Sequence, residues 1–212
     1  MKTASFGDRA MLVSEIDPKD FNRLSSWLKI VLNSEGYLIR RGLDSILIEN
    51  PLPTVKIKDA LTSALARFND NGAEENTAEV SEIIEIPCLY DGEDLNALSI
   101  KLEVNVGELI ALHKNTLWRV ALVGFAPGFP YLVPANPDDA NLFSKATRLD
   151  IPRTAVPAGS IAVAAGTSAI YPNRMPGGWN LIGRTETVLF DASSLTPSKL
   201  NVNDLVKFVE KK

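Results

Sequence analysis

GFAPGFPYL (residues 124–132), PRTAVPAGSIAVAAG (152–166) and PGGWNLIGRT (176–185) decide how the larger part of this chain folds. In each, Gly and Pro fix the path of the backbone where a short β-type run meets a turn. Around them lie further apolar runs at 118–123, 161–164, 188–190 and 206–209, again punctuated by Pro and Gly. Many short strands with such turns predict a barrel or a sandwich. A strand over 83–89, a turn at Asp91-Gly92 and two short helices over 94–101 and 107–114 lead into this region.

The first third reads differently. Asp17-Pro18 has the form of an N-cap followed by Pro at the first helical position, and Gly36 is a stop signal. Phe21, Leu24, Leu28, Val31 and Leu32 between them share one helical face. A second helix over 57–68 places Ile57, Ala60, Leu61, Ala64, Leu65 and Phe68 together and ends at Asn69-Asp70-Asn71-Gly72. Strands are predicted over 10–13, 37–39 and 45–48, which gives the order β-α-β-β-α. That order predicts a small α+β sandwich, with both helices on one face of an antiparallel sheet. NGAEENTAE (71–79) is polar, acidic and aperiodic, so it reads as a linker between domains at 1–75 and 80–212.

Bulk properties narrow the function. Of 212 residues 45% are hydrophobic and 23% charged, the balance of a globular protein, and the net charge is −4. An acidic chain lacks the basic footprint of a general nucleic-acid or anionic-membrane binder. No apolar run approaches the roughly 18 residues of a membrane span, and MKTASFGDRAMLV lacks the apolar core of a signal peptide. The single cysteine, Cys88, excludes an intrachain disulfide and a Cys-based zinc cage, and fits a reducing, cytoplasmic setting. With one histidine, His113, a His-rich metal site is impossible, and no metal is expected.

Several segments carry groups suited to chemistry. Phe125, Phe129 and Tyr131 sit on the loop after a strand, where rings either pack inward or line a pocket for a planar ligand. Arg153, between two prolines, suits bidentate binding of a carboxylate or phosphate, or a structural ion pair. Ser160 and Tyr171 add hydroxyls around the next strand. Gly177-Gly178 lets backbone approach closely beside Trp179. His113 closes a helix, where a cation is favoured by the macrodipole and where a site role is equally open. The paired helices over 95–113 have the outline of a helix-turn-helix, but the second lacks basic residues near its start to reach bases and phosphates. P-loop, GxSxG, HExxH and Rossmann patterns are absent.

Taken together and in this order, GFAPGFPYL, PRTAVPAGSIAVAAG, IYP (170–172), PGGWNLIGRT and LFD (189–191) resemble one family, the B-type subunits of prokaryotic 5-oxoprolinase, also named KipI-type kinase inhibitor or allophanate hydrolase subunit 1. The resemblance is strong over about 86–208, and GDRAMLV (7–13) looks like the family's opening strand. It implies a cyclophilin-like barrel for the C-terminal domain and a partner of similar fold, the 5-oxoprolinase C-type subunit. A transient third component, the A-type subunit, would complete the ATP-dependent opening of 5-oxo-L-proline to L-glutamate. Cofactors bound by this chain alone would be none, with ATP used by the complex. His113, Arg153 and Arg184 would face a shared catalytic site, with Phe125, Phe129, Tyr131, Ser160, Tyr171, Gly177, Gly178 and Trp179 binding substrate. Opening an activated lactam calls for anion stabilisation and proton transfer.

The chain departs from the family at three places: Val133-Pro134 stands for Gly-Gly, Lys145-Ala146-Thr147-Arg148 for a Pro-Arg-Arg-like run, and Gly166-Thr167-Ser168-Ala169 for Gly-Gln-Thr-Gly. The same resemblance admits a non-catalytic histidine-kinase inhibitor, or a carboxyltransferase-related subunit that works on a urea-like substrate with carboxybiotin from a partner. Prolyl isomerase activity would follow from the fold alone, which does not carry function.

Overall fold

The computed structural model describes residues 1–33, 36–50, 54–70, 83–136 and 143–211. The chain divides into two compact units, 1–79 and 80–212. The linker read at 71–79 lies outside the described residues, as do Asn71 and Gly72 of the second helix's stop signal.

The first unit contains β1 (Lys2–Ser5), β2 (Ala10–Ser14), α1 (Pro18–Asn33), β3 (Leu38–Arg41), β4 (Ile46–Glu49) and α2 (Thr54–Asp70). The strands form one antiparallel sheet in the order β1-β2-β4-β3. Alternate residues of β2 and β4, namely Met11, Val13, Ile46 and Ile48, face Leu24, Leu28 and Leu32 of α1 and Ile57, Leu61 and Phe68 of α2. The helical periodicities of the sequence are therefore the buried faces. The expected order β-α-β-β-α lacks β1, whose KTAS sequence is exposed throughout and carries no apolar alternation. Its pairing with β2, from Lys2↔Ser14 to Ser5↔Met11, is set by the turn between them rather than by burial.

The second unit is mainly β. It comprises β5 (Ile83–Cys88), α3 (Leu95–Lys101), α4 (Val106–Asn115), β6 (Trp118–Val123), β7 (Pro130–Pro134), β8 (Arg153–Val156), β9 (Ser160–Ala164), β10 (Thr167–Ile170), β11 (Met175–Gly177), β12 (Asn180–Arg184) and β13 (Leu205–Glu210). Seven strands form one sheet in the order β12-β9-β10-β7-β6-β13-β5, in which only β13 and β5 run parallel. The two ends of this sheet meet. Leu89, just past β5, exchanges both backbone hydrogen bonds with Arg184 of β12, at 2.9 and 2.8 Å. The sheet therefore closes into a barrel, with register irregularities in β6–β7 and β9–β12 where it bends.

The barrel interior holds Trp118, Val120, Leu132, Ile161, Val163, Ile170, Ile182, Val206 and Phe208, and α3 and α4 add Leu95, Leu98, Leu102 and Leu109 to the same core. α4 starts at a capping box in which Asn105 and Glu108 each accept from the other's backbone N–H, at 2.9 and 3.0 Å. The paired helices are thus a part of the barrel's packing.

Three strands, β9, β10 and β12, are buried on both faces. Ile161 and Val163 of β9 point inward, whereas Ala162 and Ala164 join Ala169, Tyr171 and Leu181 in a second core outside the barrel. The β8–β11 ribbon covers that outer layer with Val156 and Met175. One strand expectation is corrected. Residues 188–190 are not a strand: Leu189 is buried and Phe190 makes a single bridge to Ser198, so packing rather than pairing explains their apolar character.

The backbone approaches itself most closely at the barrel's glycines. Gly159 has φ +80°, and a Cβ there would collide with the carbonyl oxygen of Thr185, whose N–H donates to Gly159 O at 2.8 Å. Gly159→Ala should therefore destabilise the protein by about 2–4 kcal/mol, combining left-handed backbone strain with a steric clash. Urea unfolding checks this: an unchanged midpoint would mean that strand ends around Thr185 relax freely.

Candidate functional site

The β5–α3 turn runs Asp91-Gly92-Glu93-Asp94 and lies against the edge of β12. Gly92 N–H donates to Ile182 O, Asp94 N–H donates to Leu181 O, and Leu181 N–H donates to Asp94 Oδ2 at 2.6 Å. Both arginines that the sequence singled out hold this turn. Arg153 pairs with Glu93 at 2.8 Å and donates to both carboxylate oxygens of Asp94 at 2.8 and 3.0 Å. Arg184, with 65% of its side chain exposed, pairs with Asp91 at 2.9 Å. The structural reading of Arg153 thus has its partners in view, and a ligand anion would have to compete with two carboxylates already in place. Beside the closure lies a cavity of about 110 Å³ lined by Pro87, Cys88, Leu89, Arg184, Thr185, Glu186 and Lys211.

His113 sits elsewhere. It is fully buried at the end of α4, with its ring against Tyr90, Trp118, Phe143 and Phe208. Its Nδ1 is 2.8 Å from Tyr90 Oη and its Nε2 is 2.8 Å from Ser168 Oγ. Burial pushes its pKa down to about 3, so at neutral pH the ring is uncharged and joins two hydroxyls across the core. Ser168 is one of the positions at which the chain departs from the family pattern, and here it satisfies the buried imidazole. Cys88 is a buried thiol whose pKa burial raises, and Tyr90 is raised by the same cause. His113, Arg153 and Arg184 therefore occupy a core position and two clasps on one turn. The structure does not gather them around a common opening.

The aromatic residues do come together, on the outer face of the barrel. Phe129 is the hub: its ring centroid lies 5.1 Å from Tyr131, 5.2 Å from Tyr171, 5.6 Å from Phe125 and 6.3 Å from Trp179. Tyr131 and Trp179 complete the set at 5.8 Å. Edge-on pairs of this kind rigidify a cluster. Phe129, Tyr171 and Trp179 are buried, Tyr131 is half-buried, and Phe125 is 68% exposed. Phe125 also has φ +73°, a left-handed backbone that costs a non-glycine residue roughly 1–2 kcal/mol. Such strain, at the tip of a loop that displays a ring to solvent, marks a built surface.

The glycines serve this cluster. A Cβ on Gly177 would collide with the Tyr171 hydroxyl, which hydrogen-bonds the Trp179 backbone. Gly178 O accepts from Leu149 N–H at 2.7 Å. Ser160 is buried within β9, its carbonyl accepting from Tyr171 N–H at 2.9 Å. Arg148, which sequence reasoning noted only as a departure, lies with its guanidinium carbon 6.0 Å from the Trp179 ring centroid. Its signal in the sequence is weak: one Arg in an irregular stretch, far along the chain from the ring it meets in space. Among the described residues no group of three or more His, Cys, Asp or Glu could hold a metal.

The chain belongs to the family described as carboxyltransferase domain, subdomain C and D, whose model matches residues 1–200. Within it, the chain is 38% identical over 146 residues to the 5-oxoprolinase B subunit of Bacillus subtilis, covering 64% of this chain and 59% of that protein. It is 39% identical over 129 residues to the 5-oxoprolinase B subunit of Haemophilus influenzae, covering 59% and 58%. The matched region thus spans somewhat under two thirds of those curated relatives. Urea carboxylase of Kluyveromyces lactis shares the fold, with a TM-score of 0.72 at 20% identity over 99% of this chain and 22% of that one.

The clasp and the buried imidazole each have a measurable consequence. Arg153→Ala should lower stability by about 2–3 kcal/mol, because it strands the largely buried Asp94 carboxylate. A double-mutant cycle with Asp94→Asn measures the coupling, and a coupling near zero would remove the clasp. His113 binds a proton near pH 6.5 when unfolded and only near pH 3 when folded. Its contribution to stability is therefore complete above pH 6.5 and declines by about 1.4 kcal/mol per pH unit below it. Unfolding free energies of His113→Asn should show a shallower pH dependence between pH 4 and 6.5 than the parent protein; equal slopes would contradict the neutral core imidazole.

Proposed function

We propose that this chain works in the cytoplasm as the B-type subunit of an ATP-dependent 5-oxoprolinase. It would present one wall of a site that the C-type subunit completes, with the A-type subunit supplying the remaining step. The observation that carries this reading is the rigid aromatic face of Phe125, Phe129, Tyr131 and Trp179, buried on the barrel side and open at Phe125. A flat five-membered lactam stacks on such rings, and a surface that is half a pocket suits a component whose partner supplies the rest. The name borne by the curated relatives supports the same substrate.

The division of labour is consistent with the sequence. This chain carries no nucleotide motif, so ATP is used by the assembled complex and its handling falls to the partners. Here the chain binds and orients the ring and excludes water from one side of it. Within this reading His113 and Arg153 are positioning residues. The neutral imidazole fixes α4 to β10 through Ser168, and the Arg153 clasp fixes β8 against the β5–α3 turn. Arg184 secures the barrel closure.

A second reading, favoured by the carboxyltransferase family model, has the same face receive a urea-like amide for carboxylation by a biotin-bearing partner. Both substrates are planar amides. Reconstitution separates them. The chain mixed with its C-type and A-type partners should hydrolyse ATP in proportion to 5-oxo-L-proline, and Phe125→Ala should cut that turnover by about tenfold while the complex still assembles. Biotin-dependent turnover of urea instead would favour the second reading. Suppression of histidine-kinase autophosphorylation by the chain alone, with no 5-oxoproline-dependent hydrolysis by the mixture, would contradict both.

A further inference from the structure

We propose that Arg148 is the carboxylate-recognition group of the aromatic face, and that it selects a small flat ring bearing one carboxylate. The identity of that ring rests on the 5-oxoprolinase reading; the assignment of Arg148 rests on the geometry alone.

Arg148 is exposed, yet its backbone is fixed on both sides. Thr147 O accepts from Asn180 Nδ2 at 2.9 Å, and Leu149 N–H donates to Gly178 O at 2.7 Å. The three residues Thr147-Arg148-Leu149 are thus strapped to Gly178-Trp179-Asn180, with Arg148 held opposite Trp179. The guanidinium lies over the indole, 6.0 Å from its centroid, where the π-face orients it and leaves its N–H edge for a ligand.

The charge is also uncommitted. Arg153 and Arg184 are both spent on the acidic turn, whereas among the described residues no carboxylate pairs with Arg148. Its charge is felt by the hydroxyls of Tyr131 and Tyr171, which places it at the rim of the same ring cluster. Lys101 donates to the Thr147 hydroxyl, so a second cation stands one residue away. A fixed, unpaired guanidinium beside two phenols and an apolar ring surface has the donor set for a carboxylate attached to a planar ring: the carboxylate takes the guanidinium edge, and the ring takes the aromatic wall.

Ligand-observed NMR on the full chain tests this with three probes of similar shape: 5-oxo-L-proline, 2-pyrrolidinone, which has the lactam without the acid, and cyclopentanecarboxylate, which has the acid without the lactam. Both acids should bind and should perturb the Trp179 indole resonance. Arg148→Gln should weaken the acids by roughly 10- to 100-fold while leaving the 2-pyrrolidinone response unchanged. Arg148→Lys should restore part of the loss, and the exposure of Arg148 means that both variants fold. The proposal is overturned if Arg148→Gln binds the acids as the parent does, if it weakens all three probes alike, or if no probe binds the parent chain at millimolar concentration. If cyclopentanecarboxylate binds through Arg148 but 5-oxo-L-proline does not, the carboxylate assignment stands and the 5-oxoprolinase reading falls.

Discussion

The pair of backbone hydrogen bonds between Leu89 and Arg184 holds the rest of the second unit in place. Without it β5 and β12 would be two open edges of a seven-stranded sheet. With it the sheet has an inside and an outside, and every other feature is defined by which side it occupies. The closure needs close backbone contact, and Gly183, where a Cβ would strike Leu89 O, allows it. It also needs the chain after Leu89 to stay on the β12 edge. The acidic turn does this by backbone bonds to Ile182 and Leu181, and Arg153 and Arg184 neutralise its carboxylates from two directions. Two arginines with the look of anion binders therefore act on anions the protein itself provides.

Closure explains the contrast between the two sides. Inside, polar groups survive only when satisfied, and His113 meets this condition as a neutral ring between Tyr90 and Ser168. Outside, β9 and β10 present small side chains, Ala162, Ala164 and Ala169, over which the large rings of Phe129, Tyr171 and Trp179 can lie. The alanines make room and the rings fill it. The outer layer thins toward Phe125, Tyr131 and Arg148, and there the protein meets its surroundings with a mixed aromatic and cationic surface.

Much of this was legible in the sequence where local rules decide. The faces of α1 and α2 follow from 3.6-residue periodicity, and β6 follows from a mostly apolar run between turn signals. The Gly and Pro segments located the aromatic face because residues such as Gly177 are required by contacts that no side chain could share. Elsewhere local rules failed for physical reasons. β9, β10 and β12 are buried on both faces, so they show no alternation to distinguish strand from core segment. β7 begins and ends in proline and reads as loop, although both prolines are buried within the sheet. The Arg153–Asp94 clasp joins positions 59 apart, and nothing in the sequence of either partner names the other. The same is true of His113 and Ser168, which meet only once the barrel exists.

Ligand is met, in this account, on the outer aromatic face and not at the barrel closure or in the interior. Hydrogen exchange on the complex assembled with its partner subunits, with and without 5-oxo-L-proline, tests it most directly. The account predicts ligand-dependent protection at residues 124–131, 147–149 and 178–180, with the closure at 89–94 and 184–186 unchanged. Protection confined to the closure, or to the Tyr90, His113 and Ser168 segments, would contradict it.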